Sequence, residues 1–108
     1  MPQIKIRGIA VEQVQFISKE LVHELQQVIG CPEEDLTLEW IPATTISNGH
    51  IVPGYPFVEV AWFDRGQEIQ NRVAKSITRF IQKTGHGSVD IMFTVFEKNR
   101  YYENGEHF

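Results

Sequence analysis

Residues 57–63 read Phe57-Val58-Glu59-Val60-Ala61-Trp62-Phe63. Successive side chains of a strand point to opposite faces, so Val58, Val60 and Trp62 share one face and Phe57, Glu59, Ala61 and Phe63 the other. The apolar period then changes. Ile69, Val73, Ile77, Phe80 and Ile81 recur at three and four, which is one stripe of an amphipathic helix. Asp64 is the expected N-cap of that helix, with Gln67 as its capping-box partner. Gly85 and Gly87 follow it, and Ser88 to Phe96 alternates again, with Val89, Ile91, Phe93 and Val95 on one face. Strand, helix and strand in this order form a βαβ unit.

The N-terminal half has the same grammar. Gln3 to Arg7 alternates, with Ile4 and Ile6 on one side and Gln3, Lys5 and Arg7 on the other. Val14, Ile17, Leu21, Leu25 and Val28 then mark a helix, which Gly30 and Pro32 stop. Leu36 to Ile41 alternates as a second strand. Between the halves, Ile46-Ser47-Asn48-Gly49-His50-Ile51 places Asn-Gly among apolar residues, a strong hairpin signal. A second Asn-Gly, Asn104-Gly105, predicts a short hairpin at the end of the chain. The fold class read from this order is α+β. Two βαβ repeats form a four-stranded sheet with two helices on one face, in a single domain over residues 1–108.

Composition narrows the function. Seven Phe, three Tyr and two Trp supply a packed core, which argues against disorder. The net charge is −4 with no basic run, so a nucleic-acid partner is not expected. No apolar run approaches the ~18–20 residues that span a bilayer, and Met1-Pro2-Gln3-Ile4-Lys5 opens no signal peptide. A cytoplasmic location is the expectation. Cys31 is the single cysteine, which rules out an internal disulfide. His23, His50, His86 and His107 show no metal spacing, and no phosphate-binding Gly loop occurs. Neither metal nor cofactor is expected.

The helices must cover the face bearing Ile4, Ile6, Val58, Val60, Ile91 and Phe93. The other face mixes Lys5, Arg7, Glu39, Glu59 and Asp90 with Phe57, Ala61, Phe63, Met92 and Phe96. That is too apolar for a solvated face and too charged for a core. It fits a surface buried against other subunits, with its acids and bases paired, and a domain this small gains from assembly. Tyr101 and Phe108 in the tail are expected to dock on a neighbouring subunit.

Several motifs resemble the tautomerase superfamily, which includes macrophage migration inhibitory factor and 4-oxalocrotonate tautomerase. Pro2 directly follows Met1, and the βαβ pattern is doubled. Gly30-Cys31-Pro32 sits where the inhibitory-factor branch has Gly-Lys-Pro, and Gln70-Asn71-Arg72 matches its Gln-Asn-Arg. The ending Tyr-Tyr-Glu-Asn-Gly-Glu-His-Phe is similar to that of an uncharacterised bacterial family within the superfamily. The resemblance implies a homotrimer, removal of Met1, and a Pro2 amine that acts as general base on a small keto-enol carboxylate. A free α-amine titrates near ~7.7–8.0, and an apolar pocket or a nearby cation lowers that towards neutrality.

The departures from the superfamily bear on substrate. Cys31 replaces the branch's Lys, Asp90 aligns with its Tyr and Met92 with its Asn, and the first helix has no Arg. No cation stands beside Cys31 in the sequence. Arg65 and Arg7 remain as candidate grips for a carboxylate. The family's packing implies that Phe63, Asp64 and Arg65 lie near Pro2. The expected substrate-binding set is Arg65, Phe63, Arg7 and Asp90, around Pro2 as base. Two other readings stay open. One is a non-catalytic trimer of the same fold, with a binding or structural role. The other is a ferredoxin-like ligand-binding module, since strand-helix-strand-strand-helix-strand is also that fold's order. Adjacent parallel first and second strands mean the tautomerase arrangement.

Overall fold

The computed structural model describes residues 2–108. Strand β1 (Gln3–Arg7) leads into α1 (Val11–Ile29) and returns as β2 (Thr37–Trp40). A hairpin of β3 (Thr45–Ser47) and β4 (His50–Val52) follows. The second unit is β5 (Phe57–Trp62), α2 (Gln67–Gln82) and β6 (Asp90–Val95), and the tail closes on β7 (Tyr102–Glu103) and β8 (Glu106–His107). Both hairpins turn on their Asn-Gly pairs, with Asn48 and Asn104 at positive φ.

The main sheet has the order β2-β1-β5-β6. β1 runs parallel to β2 and antiparallel to β5, and β5 runs parallel to β6. Each repeat therefore keeps its two strands side by side, and the repeats join through β1 and β5. Adjacent parallel β1 and β2 exclude the interleaved ferredoxin-like order.

Both helices cover the expected face. Ile4, Ile6, Val58, Val60 and Trp62 are fully buried against Leu21, Leu25, Val73, Ile77 and Ile81. Ile91 and Phe93 are half-buried on the edge strand, and Val95 stays exposed there. The two helices are tied by Glu24, which accepts hydrogen bonds from Ser76 Oγ and from Arg79. That link joins residues far apart in sequence and has no local signature.

The cap of α2 differs from expectation. Gly66, at φ 87°, is the N-cap, and Asp64 stands two residues earlier. The Asp64 carboxylate accepts the Gly66 N–H at 2.9 Å, closing an Asx turn rather than a capping box. The segment Phe63–Arg65 thus leaves the sheet as a short loop before the helix begins. In α1 the residue before the helix is Ala10, whose N–H donates to Gln13 Oε1 at 3.1 Å.

Candidate functional site

Pro2 is fully buried at the head of β1, and its carbonyl accepts the Thr37 N–H at 3.3 Å. Gln3 lies opposite Ala61, so antiparallel β5 leaves the sheet at this same end. Phe63 and Arg65 follow directly. α1 runs back from the far end of β1, and its terminus delivers Gly30 and Cys31 here as well. One edge of the molecule therefore collects the start of β1, the exit of β5, the approach to α2 and the end of α1.

The electrostatics confirm part of that collection. Burial pushes the Cys31 thiol above its usual value, and the nearby Arg65 guanidinium pulls the other way. The fold thus supplies the cation that the sequence around Cys31 lacks. Burial is the larger effect, so the thiol stays protonated and Cys31 is no nucleophile at neutral pH. The Arg65 Nε is buried without a hydrogen-bond partner, and Arg65 joins none of the ion pairs among the described residues. A desolvated, unpaired guanidinium N–H favours a carboxylate placed beside it.

Phe63 is held in an aromatic cluster. It stacks on Phe108 with ring centroids 5.3 Å apart, and meets Tyr101 at 5.2 Å and Phe96 at 5.4 Å. Within the chain, Tyr101 and Phe108 thus pack on Phe63. The 3-10 turn Lys98–Arg100 brings the tail back, and the Phe108 N–H donates to the Tyr101 carbonyl at 3.0 Å. The aromatic rings find partners in their own chain.

Arg7 and Asp90 do not join Pro2 within one chain. Both lie opposite Phe57, at the other end of the sheet, about 17 Å along β1 at a rise of ~3.4 Å per residue. The Arg7 guanidinium sits over the Phe57 ring, 4.5 Å from its centroid. The open face departs from expectation too. Lys5 is flanked by Glu39 and Glu59, yet no ion pair closes among Lys5, Arg7, Glu39, Glu59 and Asp90. Thr94, opposite Ala61, is a further member of this face that the sequence reading passed over. Among the described residues no group of His, Cys, Asp and Glu could hold a metal ion. No helix among them is long and apolar enough to cross a membrane.

Comparison with known proteins places this architecture. The family model described as "Domain of unknown function (DUF1904)" matches residues 1–107. The chain is similar to the crystal structure of a DUF1904 domain from Sebaldella termitidis, with 35% identity over 100% of both chains and a TM-score of 0.93. It is similar in fold to a macrophage migration inhibitory factor homologue from Prochlorococcus marinus, at 20% identity over 98% of each chain and a TM-score of 0.76. It is also similar in fold to Pt0534 inactivated by 2-oxo-3-pentynoate, at 15% identity over 98% of this chain and 94% of that one, with a TM-score of 0.75. No curated protein matches the sequence. With a family model spanning nearly every residue, the chain belongs to the DUF1904 family, and its fold is that of the tautomerase superfamily.

Proposed function

We propose that this chain is a tautomerase-like isomerase of small enol or 2-oxo carboxylates, working as a homotrimer with Pro2 as general base. The observation that carries the reading is the Pro2 edge itself. A buried proline at the head of β1 shares its surroundings with an arginine whose Nε has no partner. Once Met1 is removed, the Pro2 nitrogen is a secondary amine whose lone pair is aimed by the ring. It takes a proton from an enol oxygen or a carbon beside a carbonyl, and the proton is returned at another carbon. Arg65 holds the carboxylate. Inactivation of Pt0534, which shares the fold, by the small unsaturated acid 2-oxo-3-pentynoate supports this substrate class.

Assembly follows from the open sheet face. Lys5, Arg7, Glu39 and Glu59 carry unclosed charges beside Phe57 and the exposed Met92. Facing sheets inward in a trimer gives those charges partners and leaves the helices in water.

The test is ketonisation of phenylenolpyruvate and 2-hydroxymuconate, followed by ultraviolet absorbance. The protein is first shown by intact mass to lack Met1 and by light scattering to be trimeric. Rates above buffer support the reading. Rates equal to buffer across several enol acids favour a non-catalytic trimer, a reading that Cys31 supports by supplying a neutral thiol where the inhibitory-factor branch has a Lys charge. Arg65→Ala is expected to raise KM more than it lowers kcat, because a grip distant from the migrating proton binds ground state and transition state alike.

A further inference from the structure

Among the described residues, two buried side-chain polar atoms have no hydrogen-bond partner, Trp62 Nε1 and Arg65 Nε. Both belong to the segment in which β5 leaves the sheet. Buried donors in native chains are nearly always satisfied, by protein, by water or by a ligand. In the function proposed, Arg65 holds a carboxylate, and Trp62 has no part. Yet Trp62 stands beside Pro2. The β1–β5 register pairs Gln3 with Ala61 and Ile4 with Val60. One step further along the same antiparallel ladder sets Pro2 opposite Trp62. Pro2 keeps the course of the strand there, since its carbonyl accepts the Thr37 N–H at 3.3 Å. Ile4 and Val60 face the helices, so Pro2 and Trp62, two residues away on each strand, face them too. Directly opposed residues on one face of an antiparallel pair have Cβ atoms about 4.5–5.5 Å apart.

The Trp62 indole is held in place. The residue is fully buried, and its ring packs on Phe93 with centroids 5.2 Å apart. Its carbonyl accepts the Phe96 N–H at 2.7 Å. The other buried apolar side chains are Ile, Leu, Val, Phe80 and Cys31, and none of them carries an oxygen. Trp40, the second tryptophan, shows the contrast. It pairs with Ile6 near the other end of the sheet, and its Nε1 donates to the Ile9 carbonyl at 2.8 Å.

Indole and guanidinium nitrogens only donate. The nearest carboxylates do not answer them. Asp35 lies near Cys31, as Arg65 does, but closes no ion pair with Arg65. Asp64 is exposed, and its carboxylate accepts the Gly66 N–H. A group that satisfies both orphans therefore brings acceptors and no donor. An ionised 2-oxo carboxylate is such a group. It carries two carboxylate oxygens and, on the adjacent carbon, a third acceptor oxygen.

We infer that Trp62 is a further ligand-binding residue of the Pro2 edge, its indole N–H donating to the 2-oxygen of a small acid whose carboxylate lies at Arg65. The inference rests on the function proposed for that edge and names the group that the 2-oxygen meets. Removal of Met1 frees the Pro2 nitrogen beside Trp62 and admits the ligand there. In ketonisation the enol O–H bond breaks, and its proton goes to the Pro2 nitrogen. The electron pair stays on oxygen, where the Trp62 N–H meets the growing negative charge. The C–O bond then becomes C=O, the electrons of the C=C bond take the proton from Pro2 at carbon, and the neutral amine is restored.

The test is a titration of the chain lacking Met1 with pyruvate and with propionate, which has a methylene in place of the oxo group. Two-dimensional NMR reads the two indole N–H signals and the Arg65 Nε–H. Pyruvate is expected to shift the Trp62 indole saturably and leave the Trp40 indole in place. Propionate shifts the Arg65 Nε–H but hardly moves Trp62. Pyruvate binds roughly 3–10-fold tighter than propionate, the worth of one hydrogen bond. Trp62→Phe removes the donor, keeps a ring and abolishes that preference, and Arg65→Ala weakens both acids about tenfold or more. Circular dichroism shows whether each variant folds, and the parent's own indole signal decides the matter if Trp62→Phe does not. The inference is overturned if pyruvate moves Arg65 but not Trp62, an outcome that leaves the carboxylate grip standing. It is overturned if propionate shifts the Trp62 indole as far as pyruvate does, or if folded Trp62→Phe keeps the preference. A water that stays in contact with the Trp62 indole proton at saturating pyruvate overturns it too. No response at either residue overturns it together with the grip at Arg65.

Discussion

Pro2→Ala lowers kcat for enol-acid ketonisation by ~10²–10⁴-fold, the range that a positioned general base contributes. Initiator methionine is removed before alanine as it is before proline, so the variant presents a primary amine at the same place. What it loses is the ring that aims the lone pair, together with part of the burial that favours the neutral amine. KM changes little, because the carboxylate grip at Arg65 is untouched. Parent protein that retains Met1 is the sharper comparison. Its Pro2 nitrogen is an amide with no basic lone pair, so its rate falls at least as far as that of the variant. Rates are measured on samples whose N-terminus is confirmed by mass, with circular dichroism to show that the fold is kept. A loss smaller than ~10²-fold, or equal rates with and without Met1, removes Pro2 from the mechanism.

Gly8→Ala unfolds the protein at markedly lower denaturant. Gly8 sits at φ 86°, where an L side chain costs roughly 1–3 kcal/mol. A Cβ at this position would lie 1.8 Å from the Tyr55 carbonyl oxygen and 2.4 Å from its carbon. Both atoms are backbone, held by the strand that follows, so neither can swing aside as a flexible side chain would. Relieving the overlap means moving the β1–α1 loop off the entry to β5, and forced overpacking adds roughly 1–3 kcal/mol. A total of ~2–6 kcal/mol is a large share of the ~5–15 kcal/mol that stabilises a typical domain. Gly49→Ala is the control. Its φ is 77°, but a Cβ there meets nothing within 4 Å, so it carries the conformational cost alone. Urea unfolding of both variants separates the two effects. Equal losses would show that the contact with Tyr55 contributes nothing.

The elements were legible because their signals are local. Alternation from Gln3 to Arg7 and from Phe57 onward, and three-four spacing in both helices, name strands and helices whatever their neighbours are. The two Asn-Gly pairs turn where expected because positive φ is a property of those residues. The cap at Asp64 was misread for a related reason. Asp serves an Asx turn as well as an N-cap, and the glycine two residues later settles which.

The candidate site was legible only in part. A resemblance that also orders the strands puts Pro2, Phe63 and Arg65 near one another, and the fold sets all three at one edge. Arg7 and Asp90 share the sheet with them at its far end, since β1 and β5 run antiparallel. Arg65 beside Cys31, Glu24 between Ser76 and Arg79, and the tail rings on Phe63 have no local signature, because each pairs residues that only chain crossover brings together.

By itself the sequence determined the two βαβ units and the face each strand buries. These follow from side-chain period, which is set by backbone geometry over a few residues. The tertiary structure alone decided that β1 lies between β2 and β5 and that the aromatic tail folds onto its own chain. Those depend on which strand pairs with which and in what register. Cross-strand hydrogen bonding and core packing fix that choice for the chain as a whole, and no window of the sequence records it.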